Sequence, residues 1–337
     1  MEELRVGNTV VGRGQIAFGL LNCGQNRDGA SIGIPFIAVN GSVDGPVLSL
    51  TSFIHGDEIP GIEVLRRLMR QEIKPASLRG ALIAVPIANP LAAEVGESET
   101  PLDKLDLCAV FPGDAGGLLT ERIAHVLYEE ALRRSDYYID LHSNYSPALE
   151  FSIVPTCDNA DAFQRALAMA QAFGWPVQVS GYPGSPADAA LKLGKPAMLL
   201  EFDGSRFALE SSVRKGVRGI LNVLTYLDMI DGQIQDQVDR LVPMGVYGRA
   251  EVRASHGGFA FFRKQVGDRV HPGEVIGTIY DAYGEQLEPI TSPVDGFIRT
   301  LIPAPGYQLA HSGQPVATFL RITDAVPTFG APPGPKS

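Results

Sequence analysis

Cysteine is scarce in this sequence. Among 337 residues only Cys23, Cys108 and Cys157 occur. Their number is odd, their spacing is wide and no Cys-x-x-Cys pair exists, which argues against a disulfide framework and against a cysteine-based zinc site. A reducing compartment fits, and the cytoplasm is the expected location. Positive charge is also in short supply. Lys and Arg number 28 against 38 Asp and Glu, a net charge of −10. General nucleic-acid and anionic-membrane binders need basic patches and are therefore not expected, although a local basic pocket is allowed. Long apolar runs are missing too. Stretches such as Ala81–Ala88 are far too short to cross a bilayer. Met1–Val10 is charged and mixed, without the apolar centre of a signal peptide.

What is present is ordinary for a globular protein: 45% hydrophobic and 20% charged residues, in a chain long enough for one large and one small domain. The first 40 or so residues read as a small N-terminal β segment. Then apolar strands alternate with amphipathic helices. Val47–Ile54, Ala81–Ile87, Tyr137–Leu141 and Ala197–Phe202 are strand candidates. Ile62–Arg70, Thr120–Arg134 with Thr120 as N-cap, Asp161–Phe173 and Ser211–Met229 are helix candidates. Strands that are apolar throughout and separated by helices predict an α/β domain over 1–245, built on a mainly parallel mixed sheet flanked by helices. Beyond about residue 245 helical periodicity stops. Turns such as Val266-Gly267-Asp268, His271-Pro272-Gly273, Ser292-Pro293-Val294-Asp295-Gly296 and Ala304-Pro305-Gly306 predict a small all-β domain over 246–323. Residues 324–337, rich in Gly and Pro, read as a disordered tail.

The sharpest local motif is His55-Gly56-Asp57-Glu58, directly after the first of these strands. A His and a Glu three apart can converge on one ion, and catalytic zinc sites take three protein ligands and keep a position open. His142, in Asp140-Leu141-His142-Ser143, is the best third ligand, because it also follows a strand. In an open parallel sheet the carboxyl ends of the strands share one crevice, which would gather His55, Asn89, His142 and Glu201. Asp140 is placed to orient the His142 ring. Glu201 is the candidate general base, accepting a proton as water attacks a carbonyl. Blander readings compete: His-x-x-Glu arises by chance, a His after a strand can be structural, and Glu201 could cap the next helix or pair with Arg206.

These motifs together resemble the succinylglutamate desuccinylase/aspartoacylase family of zinc-carboxypeptidase-like hydrolases. The resemblance rests on Gly45-Pro46, His55-Gly56-Asp57-Glu58, Pro60-Gly61-Ile62-Glu63, Asn89-Pro90, Phe111-Pro112-Gly113, Asp140-Leu141-His142 and Leu200-Glu201-Phe202. Gly267-Asp268-Arg269-Val270 and Pro293-Val294-Asp295-Gly296 extend it into the barrel-sandwich region that often closes such proteins. The resemblance implies one zinc ion per chain on His55, Glu58 and His142, with Glu201 as base. It implies a small N-acylated amine or amino-acid derivative as substrate, from which a carboxylic acid is released. A non-catalytic ligand-binding relative and a zinc esterase or carboxypeptidase are the alternatives.

One departure bears on specificity. Where the family usually reads Asn-Arg before Phe-Pro-Gly, this chain has Cys108-Ala109. That Arg normally grips the substrate carboxylate, and losing such a contact costs about 2–5 kcal/mol. Three explanations are open: a substrate without a carboxylate at that position, which we favour; another arginine, Arg206 first and Arg122 or Arg27 after it; or a protein without catalysis. Cys108 is read as a structural thiol lining the pocket rather than a nucleophile, and Ser143, Asn144 and Tyr145 as further pocket residues. The hairpin Tyr280–Gln286 has no lysine, so the β domain is not a biotinyl or lipoyl carrier. Support, partial cover of the site and contact within a homo-oligomer remain open to it. His125 is read as a core-edge residue, and His256, His271 and His311 as solvated turn residues.

Overall fold

A computed structural model describes residues 1–237, 240–301 and 308–323. The expected tail 324–337 and the turn Ala304-Pro305-Gly306 lie outside these described residues. A twelve-stranded mixed sheet runs through the molecule. Its centre is parallel. Val43–Ser52 pairs with Arg79–Val85 on one side and with Tyr137–Asn144 on the other, and Tyr137–Asn144 pairs in turn with Ala197–Asp203. These strands are apolar along their whole length because helices cover both faces. The helices Pro60–Arg67, Ala160–Phe173 and Glu210–Tyr226 pack together. Gly61 and Gly216 set two of them against Leu141 and Phe202, and a Cβ at either position would fall under 3 Å from those side chains. Pro186–Lys192 packs on the central strands as well.

Strand and helix types follow the sequence pattern, while several ends differ. The N-terminal residues do form strands, but Gln15–Gln25 and Ser31–Asn40 join the edge of the main sheet antiparallel. Thr120 is not the N-cap of its helix. The helix spans Leu119–Leu127, and the Thr120 hydroxyl and amide both bond Asp103, at 2.7 and 2.9 Å. His142 lies inside its strand rather than past it, and Glu201 lies within its strand as expected. Two short strands, Phe151–Pro155 and Val177–Ser180, extend the sheet beyond Ala197–Asp203. Proline bounds both, which hid them from a periodicity reading.

The sheet then passes without a break into the C-terminal part. Val246–Arg253 pairs parallel with Val177–Ser180, and Pro315–Ile322, Gly296–Leu301 and Arg269–Val270 follow antiparallel. A second, four-stranded antiparallel sheet faces this extension across a small apolar core that includes Ala260, Ile276, Ile290, Ile298 and Phe319. A bridge between Ala148 and Thr300 brings the Gly296–Leu301 strand back onto the segment entering Phe151–Pro155. The C-terminal strands are thereby fixed beside the strands Phe151–Pro155 and Ala197–Asp203.

Candidate active site

The first site residues leave the end of the Val43–Ser52 strand through a tight turn. Phe53 adopts φ 59, a left-handed conformation costly for a bulky side chain and common where function demands it. Gly56 then passes against the helix Pro90–Val95. A Cβ on Gly56 would lie 2.0 Å from the Ala92 carbonyl oxygen, a backbone atom that cannot swing aside. Gly56→Ala should therefore displace the His55–Glu58 loop and cost about 1–3 kcal/mol. Thermal unfolding with a zinc assay checks this, and an unchanged melting temperature with full metal content would contradict it.

This turn aims His55 and Glu58 at His142. Glu58 lies between the two rings: its Oε1 is 2.9 Å from His55 Nδ1 and its Oε2 is 3.0 Å from His142 Nδ1. The far nitrogen of each ring faces another carboxylate. Asp140 Oδ2 is 2.7 Å from His142 Nε2, and Asp106 Oδ1 is 3.1 Å from His55 Nε2. Asp140 is fully buried and receives the Thr51 hydroxyl. Alternation along the strand puts Tyr138, Asp140, His142 and Asn144 on one face. Burial disfavours a charged imidazole, yet Glu58 together with Asp106 or Asp140 outweighs it and holds both histidines well above their usual range. Reciprocally, the two rings overcome burial and hold Glu58 down at about 2.

This donor set fits a zinc ion. Two imidazole nitrogens and a carboxylate converge, each ring steadied from behind by a carboxylate. Glu58 Oε2 is buried and makes no aligned hydrogen bond, so it keeps a lone pair for a cation. Cys108 is close as well: ligating atoms of His55, Cys108 and His142 lie within 4.8 Å of one another. Its Sγ, however, sits 3.9 Å from His142 Nε2, the nitrogen that Asp140 holds, whereas Glu58 faces Nδ1 of both rings. In the metal-free site, burial pushes the Cys108 thiol up.

Glu201 stands directly beside His142. The two are register partners across parallel strands, and Glu201 also opposes Phe151 on its other side. All three side chains therefore share a face. Asn144 donates to Glu201 Oε2 at 2.7 Å. Burial pushes the Glu201 carboxyl up to about 7 against the pull of His142. Glu201 makes no ion pair with Arg206 among the described residues. Arg206 is exposed instead, 3.9 Å from Asp57 and over the Tyr145 ring, and the Tyr145 hydroxyl bonds Asp57.

Two expected pocket residues point elsewhere. Asn89 is fully buried and spends its amide on structure, accepting from the Ala92 amide at 3.1 Å and donating to Thr100 at 3.0 Å. Ser143 projects to the opposite face from His142 and bonds Ser205. Arg122 bonds the Gly117 carbonyl and lines a separate groove with Asn22 and His125. Ala109 is exposed in the short turn Leu107–Ala109, which packs on Gly184, where a Cβ would meet the Ala109 carbonyl at 2.4 Å. That contact helps place Tyr182, which sequence reasoning missed. Its phenol is raised by burial and by the nearby Glu201 carboxylate, and it also feels Cys108, His142 and Glu58. Asp106 was missed too, because its contact with His55 spans 51 positions and has no local signal.

Comparison with known proteins agrees with this geometry. The succinylglutamate desuccinylase/aspartoacylase catalytic domain profile matches residues 44–227. The N-alpha-acetyl-L-2,4-diaminobutyric acid deacetylase of Halomonas elongata is 29% identical over 254 residues, 73% of this chain and 74% of that protein. A succinylglutamate desuccinylase/aspartoacylase structure from Rhodobacter sphaeroides aligns with TM-score 0.81 and 25% identity, covering 92% of this chain and 96% of that one. The ectoine utilization protein EutE (DoeB) of Ruegeria pomeroyi, in a product-bound structure, has the same fold, with TM-score 0.80 and 22% identity over 90% of this chain and 94% of the other. With the catalytic-domain profile spanning more than half of its length, this chain belongs to the succinylglutamate desuccinylase/aspartoacylase family.

Proposed function

We propose that this protein is a zinc-dependent amidohydrolase that removes a small acyl group from an N-acylated amino-acid derivative. The observation that carries the reading is the Glu58 carboxylate between Nδ1 of His55 and Nδ1 of His142, with Glu201 on the adjoining strand and the same face. Zinc held by these three side chains would supply Lewis acidity and a hydroxide nucleophile at neutral pH. Asp140 and Asp106 hold the rings in place. Glu201 takes the proton of the attacking water and returns it to the amine nitrogen as the C–N bond breaks, so that one carboxylate serves as base and then acid. A carboxyl pushed up to about 7 suits both halves of that task. Asn144, bonded to Glu201 Oε2, keeps the carboxyl aimed.

The Halomonas deacetylase suggests the substrate class, an N-acetylated diamino acid. Zinc-loaded protein should release acetate and free amine from N-alpha-acetyl-L-2,4-diaminobutyrate, or an acid from another member of an N-acyl amino-acid panel, and should lose this activity on chelation. Binding across the panel without release of any acid would instead establish a non-catalytic relative. Faster cleavage of a matched ester than of the amide would establish an esterase.

A further inference from the structure

Arg299 stands out among the charged groups near Glu201. It belongs to the C-terminal strand Gly296–Leu301, yet its guanidinium is carried onto the catalytic sheet. Ile298 pairs with Phe319 and Thr300 with Thr318, which leaves Arg299 as the extra residue of a β-bulge. Bulges re-aim a side chain and are frequent beside active sites. The Arg299 carbonyl is tied down by the Leu149 amide at 2.8 Å, next to the Ala148–Thr300 bridge. Its guanidinium lies 4.8 Å above the Phe151 ring. Nε donates to Thr318 at 3.0 Å and Nη1 to Gln178 at 2.8 Å.

The register then places it. Phe151, Glu201 and His142 are successive partners across three strands, so their side chains share a face. Arg299, stacked on Phe151, sits next to Glu201 on the side away from His142. Strand spacing puts it roughly 10 Å from the metal ligands, a distance on the scale of a small amino-acid derivative. Arg299 is only 8% exposed. It nevertheless forms no ion pair with any described carboxylate, and Nη2 makes no hydrogen bond to a described residue. A buried guanidinium without a counter-ion is costly, and buried charges are normally paired. Burial lowers its proton affinity to about 10, and the attraction of Glu201 only partly offsets this. The group stays charged at neutral pH, feels Glu201 at a distance and makes no ion pair among the described residues.

We propose that Arg299 anchors a carboxylate of the substrate from the C-terminal strands, in place of the arginine that Ala109 removes. The inference rests on the deacylase reading for its substrate class but not for its test, because the test reads binding. It also gives the missing arginine an explanation different from Arg206, which is exposed and turned toward Asp57. A substrate lacking a carboxylate is no longer needed to account for Ala109.

The experiment compares N-alpha-acetyl-L-2,4-diaminobutyrate with its carboxamide, by calorimetry on zinc-loaded full-length protein. Wild type should prefer the carboxylate by roughly 30-fold or more, as expected for one buried charged contact. Arg299→Met should remove that preference, and Arg299→Lys, which keeps charge but loses the planar fork, should retain part of it. Thermal melts of both variants establish folding, and if Arg299→Met does not fold, Arg299→Lys is read alone against wild type. A wild type without preference, a preference untouched in the folded variants, or no binding of either compound would overturn the proposal. Preference that depends on Arg299 without release of acetate would leave it standing and remove the deacylase reading instead.

Discussion

Glu201→Gln is expected to keep zinc at wild-type stoichiometry and to lower kcat by about 10²- to 10⁴-fold, the usual worth of a positioned acid–base group. The amide oxygen of glutamine can still accept from Asn144, which now meets Glu201 Oε2 at 2.7 Å. Geometry is thereby kept while the proton acceptor is lost. Neither Glu201 nor Asn144 contacts His55, Glu58 or His142 through a side-chain hydrogen bond, so metal content should not follow the rate. Single-turnover acid release, with metal analysis of the same sample, separates the two. A variant retaining more than a tenth of wild-type turnover would remove Glu201 from the proton-transfer role.

The second large effect concerns the ligand set. Glu58→Ala should abolish zinc retention and activity, whereas Cys108→Ala should keep both, because Glu58 faces Nδ1 of both rings and Cys108 approaches His142 at Nε2. Loss of zinc in Cys108→Ala with retention in Glu58→Ala would replace the carboxylate by the thiol as third ligand. Stripping the ion from wild type adds a pH signature. In the metal-free chain His55 and His142 titrate above 6.5, so their stabilisation is full below that pH and is lost as pH rises through their folded values. Glu58 is held at about 2 against an ordinary 4.5, so its share is present above 4.5 and is lost only as pH falls toward 2. Stripped protein should therefore lose stability above about pH 6.5. Zinc binds deprotonated rings and gains affinity over that range. At a thousand-fold excess over Kd the ion adds about 4 kcal/mol. The melting-temperature gap between loaded and stripped protein should widen with rising pH, and a gap that narrows would contradict this arrangement.

Much of this arrangement was legible before any coordinates. His55 and Glu58 are three apart on one loop, so chain geometry alone lets them meet. His142 and Glu201 could be brought together because apolar runs mark parallel strands, and parallel strands deliver their carboxyl ends to a common crevice. Even there one strand end was misplaced. His142 lies within its strand, which runs on to Asn144, and only alternation decides that Asp140 and Asn144 share the His142 face while Ser143 does not. Asn89 turns into the fold for a related reason. An Asn before Pro at a helix start is a good cap, and capping consumed its amide.

The residues of the proposed chemistry, a His-x-x-Glu loop, a distant His and a strand-borne Glu, were readable from residue type, local period and family resemblance. Tertiary structure alone decided the surroundings. Asp106 behind His55, Tyr182 beside Glu201 and Arg299 over Phe151 are joined to the site by contacts between segments far apart in the chain. For Arg299 the deciding events are a bulge opposite Pro315–Ile322 and closure of the Gly296–Leu301 strand onto Ala148. Neither leaves a trace in composition or periodicity, because register between strands is set by packing of the whole sheet, and a shift of one residue would turn the Arg299 side chain to the other face.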